Sequence, residues 1–217
     1  MLLKYPKCVY CGSSRDVTQD HVPPKSFFPK PRPSDLITVP ACRKCNGNSG
    51  KDEEWFLATF MFTEAGITDA GRRLWDEKLH RMYEKNFGLK KSIAKSFEQA
   101  DLVTPGGLYL GRRLAIRHDE ARSAKVIHKI VRGLYYHEYQ DPLPLSIEVI
   151  SHFLQQSSEV SVVEKFAPML LFGSREWPNL FEYRYNRVTD QPQCSLWVMR
   201  FFGKLVFWAV SGNEQMA

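Results

Sequence analysis

The chain has 217 residues, 43% of them apolar, enough to bury a core and in the range of one domain or two small ones. Thirty Lys and Arg against 24 Asp and Glu give a formal charge of +6, which favours polyanionic partners without choosing among them. A membrane span is excluded, because Arg200 and Lys204 interrupt the C-terminal apolar runs far short of the roughly 20 residues a span needs. Lys4, Pro6 and Lys7 break the start of the chain, so no export segment is expected there and a soluble, cytoplasmic protein of α+β class is.

Residues 1–50 are rich in Cys, Pro and Gly and poor in helical periodicity, as expected of a segment organised by a metal more than by a core. Cys8-Val9-Tyr10-Cys11 and Cys42-Arg43-Lys44-Cys45 are two C-x2-C knuckles, and four thiolates complete the tetrahedral shell of a structural zinc ion. Bound zinc would lower the formal charge by two, to about +4. In a chain without a secretion signal, five cysteines favour a metal over a disulfide framework. Cys194, outside the knuckles, reads as a small buried hydrophobe in a strand. Between the knuckles, residues 17–22 and 36–39 are short and β-branched enough to be strands, joined by a proline-rich loop. The second knuckle is expected to open a short helix carrying Asn46, ended by Gly47 and Gly50.

Asp20, His21 and Asn46 are surplus to the zinc shell, yet the staple would hold them close together. A neutral imidazole accepts a proton from water at pH 7, and a carboxylate with an amide oxygen suits a hard ion that keeps open positions for phosphate and water. Neighbours on a strand point to opposite faces, so Asp20 and His21 share one site only if the strand ends there, and Val22-Pro23-Pro24 predicts such an ending. Cys8, Cys11, Asp20-His21 and Cys42, Cys45-Asn46, in this order, resemble the HNH or ββα-metal nucleases, in particular the zinc-stapled branch that includes phage junction-resolving endonucleases. The resemblance covers about the first 55 residues. It implies that Asp20 and Asn46 bind magnesium or manganese and that His21 is the general base. The family's middle Asn has no counterpart here; the nearest residue is Asp35, which accepts hydrogen bonds but donates none when ionised, and it is not counted as catalytic.

From Lys51 the pattern turns helical, with Asp52, Glu53 and Glu54 at a helix start and Trp55, Phe56, Phe60 and Met61 facing a core. Further helices are expected over 68–85, 92–100, 117–139 and 146–156, with a turn at Pro105-Gly106-Gly107. The helix over 117–139 carries Arg122, Lys125, Lys129 and Arg132 on one side, which reads either as a track for a phosphate backbone or as the solvated back of an amphipathic helix. Phe181, Tyr183 and Tyr185 alternate as in a strand, and residues 195–202 and 204–210 flank Gly203 as a hairpin in a small antiparallel sheet. His80, His118, His128, His137 and His152 lack paired ligand spacing and read as ordinary residues.

Residues 1–55 are therefore expected to be a zinc-stapled module and residues 56–217 a mixed body that grips or selects substrate. The function expected is a metal-dependent endonuclease acting on nucleic acid, DNA favoured, with Lys25, Lys44 and Lys51 nearest the site to position substrate. The rival is a non-catalytic zinc-knuckle protein that binds nucleic acid or protein. A third reading makes the body a scaffold for a protein partner in a defence or phage assembly.

Overall fold

A computed structural model describes residues 7–104, 106–155 and 157–212. The fold is mixed α+β. Strands β1 (Val17–His21) and β2 (Thr38–Cys42) pair antiparallel, with Asp20 opposite Val39 and His21 opposite Thr38. Helix α1 (Arg43–Asn48) follows at once, and Cys42 caps its start by accepting from the Cys45 N–H. Helix α2 (Gly50–Phe60) has Asp52 and Glu53 in its first turn, where the helix dipole favours negative charge. The expected division after residue 55 falls inside this helix.

The segment expected as one helix over 68–85 is interrupted. Thr68 caps α3 (Asp69–Leu74), a π-turn spans Trp75–Leu79, and α4 (His80–Lys85) continues. The helix expected over 92–100 is corrected: α5 (Phe87–Ala94) covers only its first three residues, and β3 (Phe97–Val103) pairs with β4 (Tyr109–Ile116) as a separate two-stranded ribbon. The turn at 105–107 joins these strands, with Gly107 at φ +86° and Pro105 outside the described residues. The ribbon is solvated along most of its length, with Leu108 and Leu114 both about two-thirds exposed.

Asp119 caps α6 (Glu120–Tyr139), whose apolar stripe includes Val126, Ile127, Ile130, Val131 and Leu134, all buried. The helix expected over 146–156 is also corrected, to β5 (Glu148–Phe153), which pairs with β9; Gln156, its expected end, lies outside the described residues. Helix α7 (Ser157–Phe166) and β6 (Leu171–Phe172) precede β7 (Phe181–Arg187), β8 (Ser195–Phe201) and β9 (Leu205–Gly212). The five-stranded sheet runs β5-β9-β8-β7-β6. Strict alternation along β8 buries Trp197, Met199 and Phe201 on one face. The β8–β9 hairpin reverses at Phe202 and Gly203, both left-handed at φ 55° and 66°, a conformation that matches strand twist and costs glycine least. Cys194 is buried as expected, but it lies just before β8 and not in a strand.

One apolar cluster joins these layers, with Val22, Phe27, Phe28 and Val39 of the N-terminal module packed in the same core as Trp197, Phe201 and Phe207 of the sheet. Helix α6 is the central strut, in contact with β2, α2, β5 and β9. Its Gly133 approaches the module so closely that a Cβ would lie 2.5 Å from Val22 Cγ2 and 3.2 Å from the Tyr10 hydroxyl. Gly133→Leu is therefore expected to lower stability by about 1–3 kcal/mol through overpacking. A urea midpoint that does not move would show that α6 does not press on Val22.

Candidate metal centre and adjoining site

The four knuckle cysteines meet. Their Sγ atoms all lie within 4.8 Å of one another, and Cys11 and Cys42 are 3.7 Å apart. Zinc–sulfur bonds of about 2.3 Å in a tetrahedron put sulfurs about 3.8 Å apart, so the cluster fits a structural zinc ion. The backbone is folded for it. Gly12 turns the first knuckle at φ +72°, its N–H bonding the Cys8 carbonyl at 2.8 Å. The Cys45 N–H directed at Cys42 lowers that thiol to about 7, whereas burial raises Cys8 and Cys45.

Asp20, His21 and Asn46 are brought to the same end of the module but not to one point. Asn46 uses its Nδ2 to donate to Thr18 Oγ1 and the Gln19 carbonyl, each at 3.1 Å, so it ties α1 onto β1. His21 is half-buried where β1 stops, just before the cis Val22–Pro23 peptide. Burial first, then the charge of Lys25, lowers its pKa below the ordinary imidazole value, and Arg32 acts in the same direction. Arg32 also donates to the Lys25 carbonyl at 2.9 Å, which ties it to the turn after β1. Sequence reasoning did not single out Arg32; its place inside the proline loop was the available signal.

Asp20 faces inward and is only 6% exposed. Its Oδ2 lies 2.9 Å from Lys129 Nζ, and the same ammonium lies 3.0 Å from Glu53 Oε1 and donates to Ser49 Oγ at 2.7 Å. Tyr10 borders this cluster, with Lys129 Nζ 5.6 Å from its ring centre. Burial raises the Asp20 pKa, and the hydrogen bond from Lys129 works against that rise. Burial also opposes the Lys129 charge, but Glu53 and Asp20 outweigh it and hold its pKa above the ordinary value. A divalent ion about 4 Å from that ammonium would meet a repulsion of about 8 kcal/mol at an effective dielectric near 20. As arranged, with Lys129 on its Oδ2, Asp20 does not fit as a ligand to a divalent ion. Glu53 and Ser49, the other members of the cluster, were not recognised from sequence as site residues.

Three of the four basic side chains on this face of α6 make internal ties. Arg122 pairs with Asp52 at 2.8 Å and lies over the Trp55 ring at 4.7 Å. Lys129 is taken up as above, and Arg132 donates to the carbonyls of Leu143 and Pro144 at 3.2 Å and to that of Ile147. Lys125 is exposed, as are Lys25, Lys44 and Lys51. Asp35 braces the proline loop against the body, accepting from Trp177 Nε1 at 3.0 Å and Arg175 at 2.9 Å, and these bonds lower its pKa. Among the described residues, no helix is long and apolar enough to cross a membrane. Comparison with protein-family models, with curated proteins and with solved structures returned no match.

Proposed function

We propose that the chain is an endonuclease that hydrolyses phosphodiester bonds in nucleic acid, DNA being the favoured substrate, with His21 as general base. The observation that carries this reading is the half-buried imidazole at the end of β1, kept neutral by burial and by Lys25, with Arg32 beside it. A neutral imidazole takes the proton of attacking water, while nearby cations offset charge gathering on the phosphate. Exposed Lys25, Lys44 and Lys51 supply backbone contacts that position substrate without reading its sequence. The resemblance of the knuckle, Asp-His and Cys-Asn motifs to zinc-stapled HNH nucleases supports the same class. The magnesium or manganese that the resemblance implies at Asp20 and Asn46 does not fit while Lys129 sits on Asp20, and the base role of His21 does not depend on it.

The test is nicking of supercoiled plasmid by the zinc-loaded full chain with magnesium or manganese added. His21→Ala is expected to keep its zinc and its melting temperature while losing about 10²–10⁴-fold in rate. Because the base works unprotonated and its pKa is lowered, cutting should rise with pH through a value below the ordinary imidazole 6.5. Equal cutting by His21→Ala, or none by the wild type with either ion, would overturn the assignment. One observation favours the second reading, a non-catalytic zinc-knuckle protein binding nucleic acid or protein: Asp20 is already neutralised by Lys129. That reading expects binding of plasmid without cutting.

A further inference from the structure

We infer that Lys129 is the resident cation of the Asp20 site, its ammonium holding the position beside that carboxylate that a divalent ion would otherwise take. An ammonium has three N–H donors and no acceptor. Here it donates to Ser49 Oγ at 2.7 Å and to Glu53 Oε1 at 3.0 Å, and it is ion-paired with Asp20 Oδ2 at 2.9 Å. The acceptors come from the junction of α1 and α2, from β1 and from α2, so the cradle is assembled by tertiary structure. Ser49 also donates to Glu53 at 2.5 Å, which fixes two of the acceptors relative to each other. The Lys129 side chain is 12% exposed, and the Tyr10 ring closes one side.

The cation is tethered. It enters from α6, a 20-residue helix packed against both α2 and β2, so a free ion competes with a charge that is covalently attached and already oriented. Two carboxylates around one ammonium, when both are ionised, also leave a net charge of −1 in a cradle whose side chains are 9–14% exposed. Removing the ammonium while keeping the length of the stem, as in Lys129→Met, uncovers two carboxylates on a space that holds one cation. Hard divalent ions seek such an oxygen-lined space. The inference concerns occupancy of the cradle and holds whether or not the chain cuts nucleic acid; failure of the nuclease reading appears in plasmid nicking, not here.

The experiment is a titration of the zinc-loaded full chain with manganese, free ion being read from its electron paramagnetic resonance signal. Wild type is expected to show no site below about 1 mM that Asp20→Asn removes, whereas Lys129→Met gains one on the order of tenfold tighter or more. That gained site should vanish in Lys129→Met with Asp20→Asn. Asp20-dependent manganese binding by wild type below about 1 mM, or binding by Lys129→Met no tighter than wild type, overturns the inference. If Lys129→Met loses zinc or its circular dichroism, Lys129→Gln, which keeps both carboxylates, is judged by the same two results.

Discussion

Cys42→Ser is expected to empty the zinc site and unfold the β1–β2 hairpin with α1. Serine is as good a helix cap as the native residue, so the start of α1 keeps its side-chain acceptor for the Cys45 N–H. What serine lacks is a soft thiolate. Structural zinc contributes an apparent 10–16 kcal/mol, roughly, to the folding of small zinc modules, more than the whole stability of an ordinary domain. At the sulfurs themselves the buried cluster is small, Cys8, Ala41 and Cys42 with Tyr10 and Cys45 against it, and the main core reaches the module through Val9, Val22 and Val39. Zinc content by plasma emission spectrometry and amide exchange over residues 8–48 measure the outcome. Full zinc content with unchanged protection would mean that the four sulfurs are not a metal site.

Phe56→Ala is expected to cost about 3–5 kcal/mol and to lower the stability of the whole molecule in one transition. The ring stacks on Phe27 of the N-terminal module at 5.4 Å between centroids and touches Phe60 at 4.6 Å. On its other side it meets Phe201 at 5.7 Å and Phe207 at 5.6 Å, both in the five-stranded sheet. It is fully buried, so truncation leaves a cavity walled by module and sheet together. Urea denaturation followed by both fluorescence and circular dichroism would reveal the outcome. Two separated transitions, only one of them shifted, would show a division of the chain near residue 55.

The features legible in the sequence were those set by local spacing. Paired cysteines, the β-branched runs around them, the amphipathic repeat of α6 and the alternation in β7 and β8 each carry their own period. Residues 92–100 and 146–156 misled because short apolar runs satisfy helical and strand spacing alike, and the deciding partners, β4 and β9, lie elsewhere in the chain. The Asp-His pair was legible, but its surroundings were not. Lys129 reaches Asp20 from the middle of the chain, and Trp177 and Arg175 reach Asp35 from beyond it, contacts that only the folded topology creates. A basic repeat on a helix looks the same in sequence whether its charges meet solvent or buried acids.

Helix α6 also bears on how this architecture can be divided. Glu138 near its far end accepts the Tyr185 hydroxyl at 2.8 Å and the Ser174 hydroxyl at 2.8 Å, while Arg122 and Lys129 hold α2 and β1 further back along the same rod. A fragment cut after the second knuckle would lose its scaffold and lay bare Val22, Phe27, Phe28 and Val39. The cysteine segment is thus not a portable cassette: grafting it onto another protein would require bringing the rod along, with its glycine notch and its lysine.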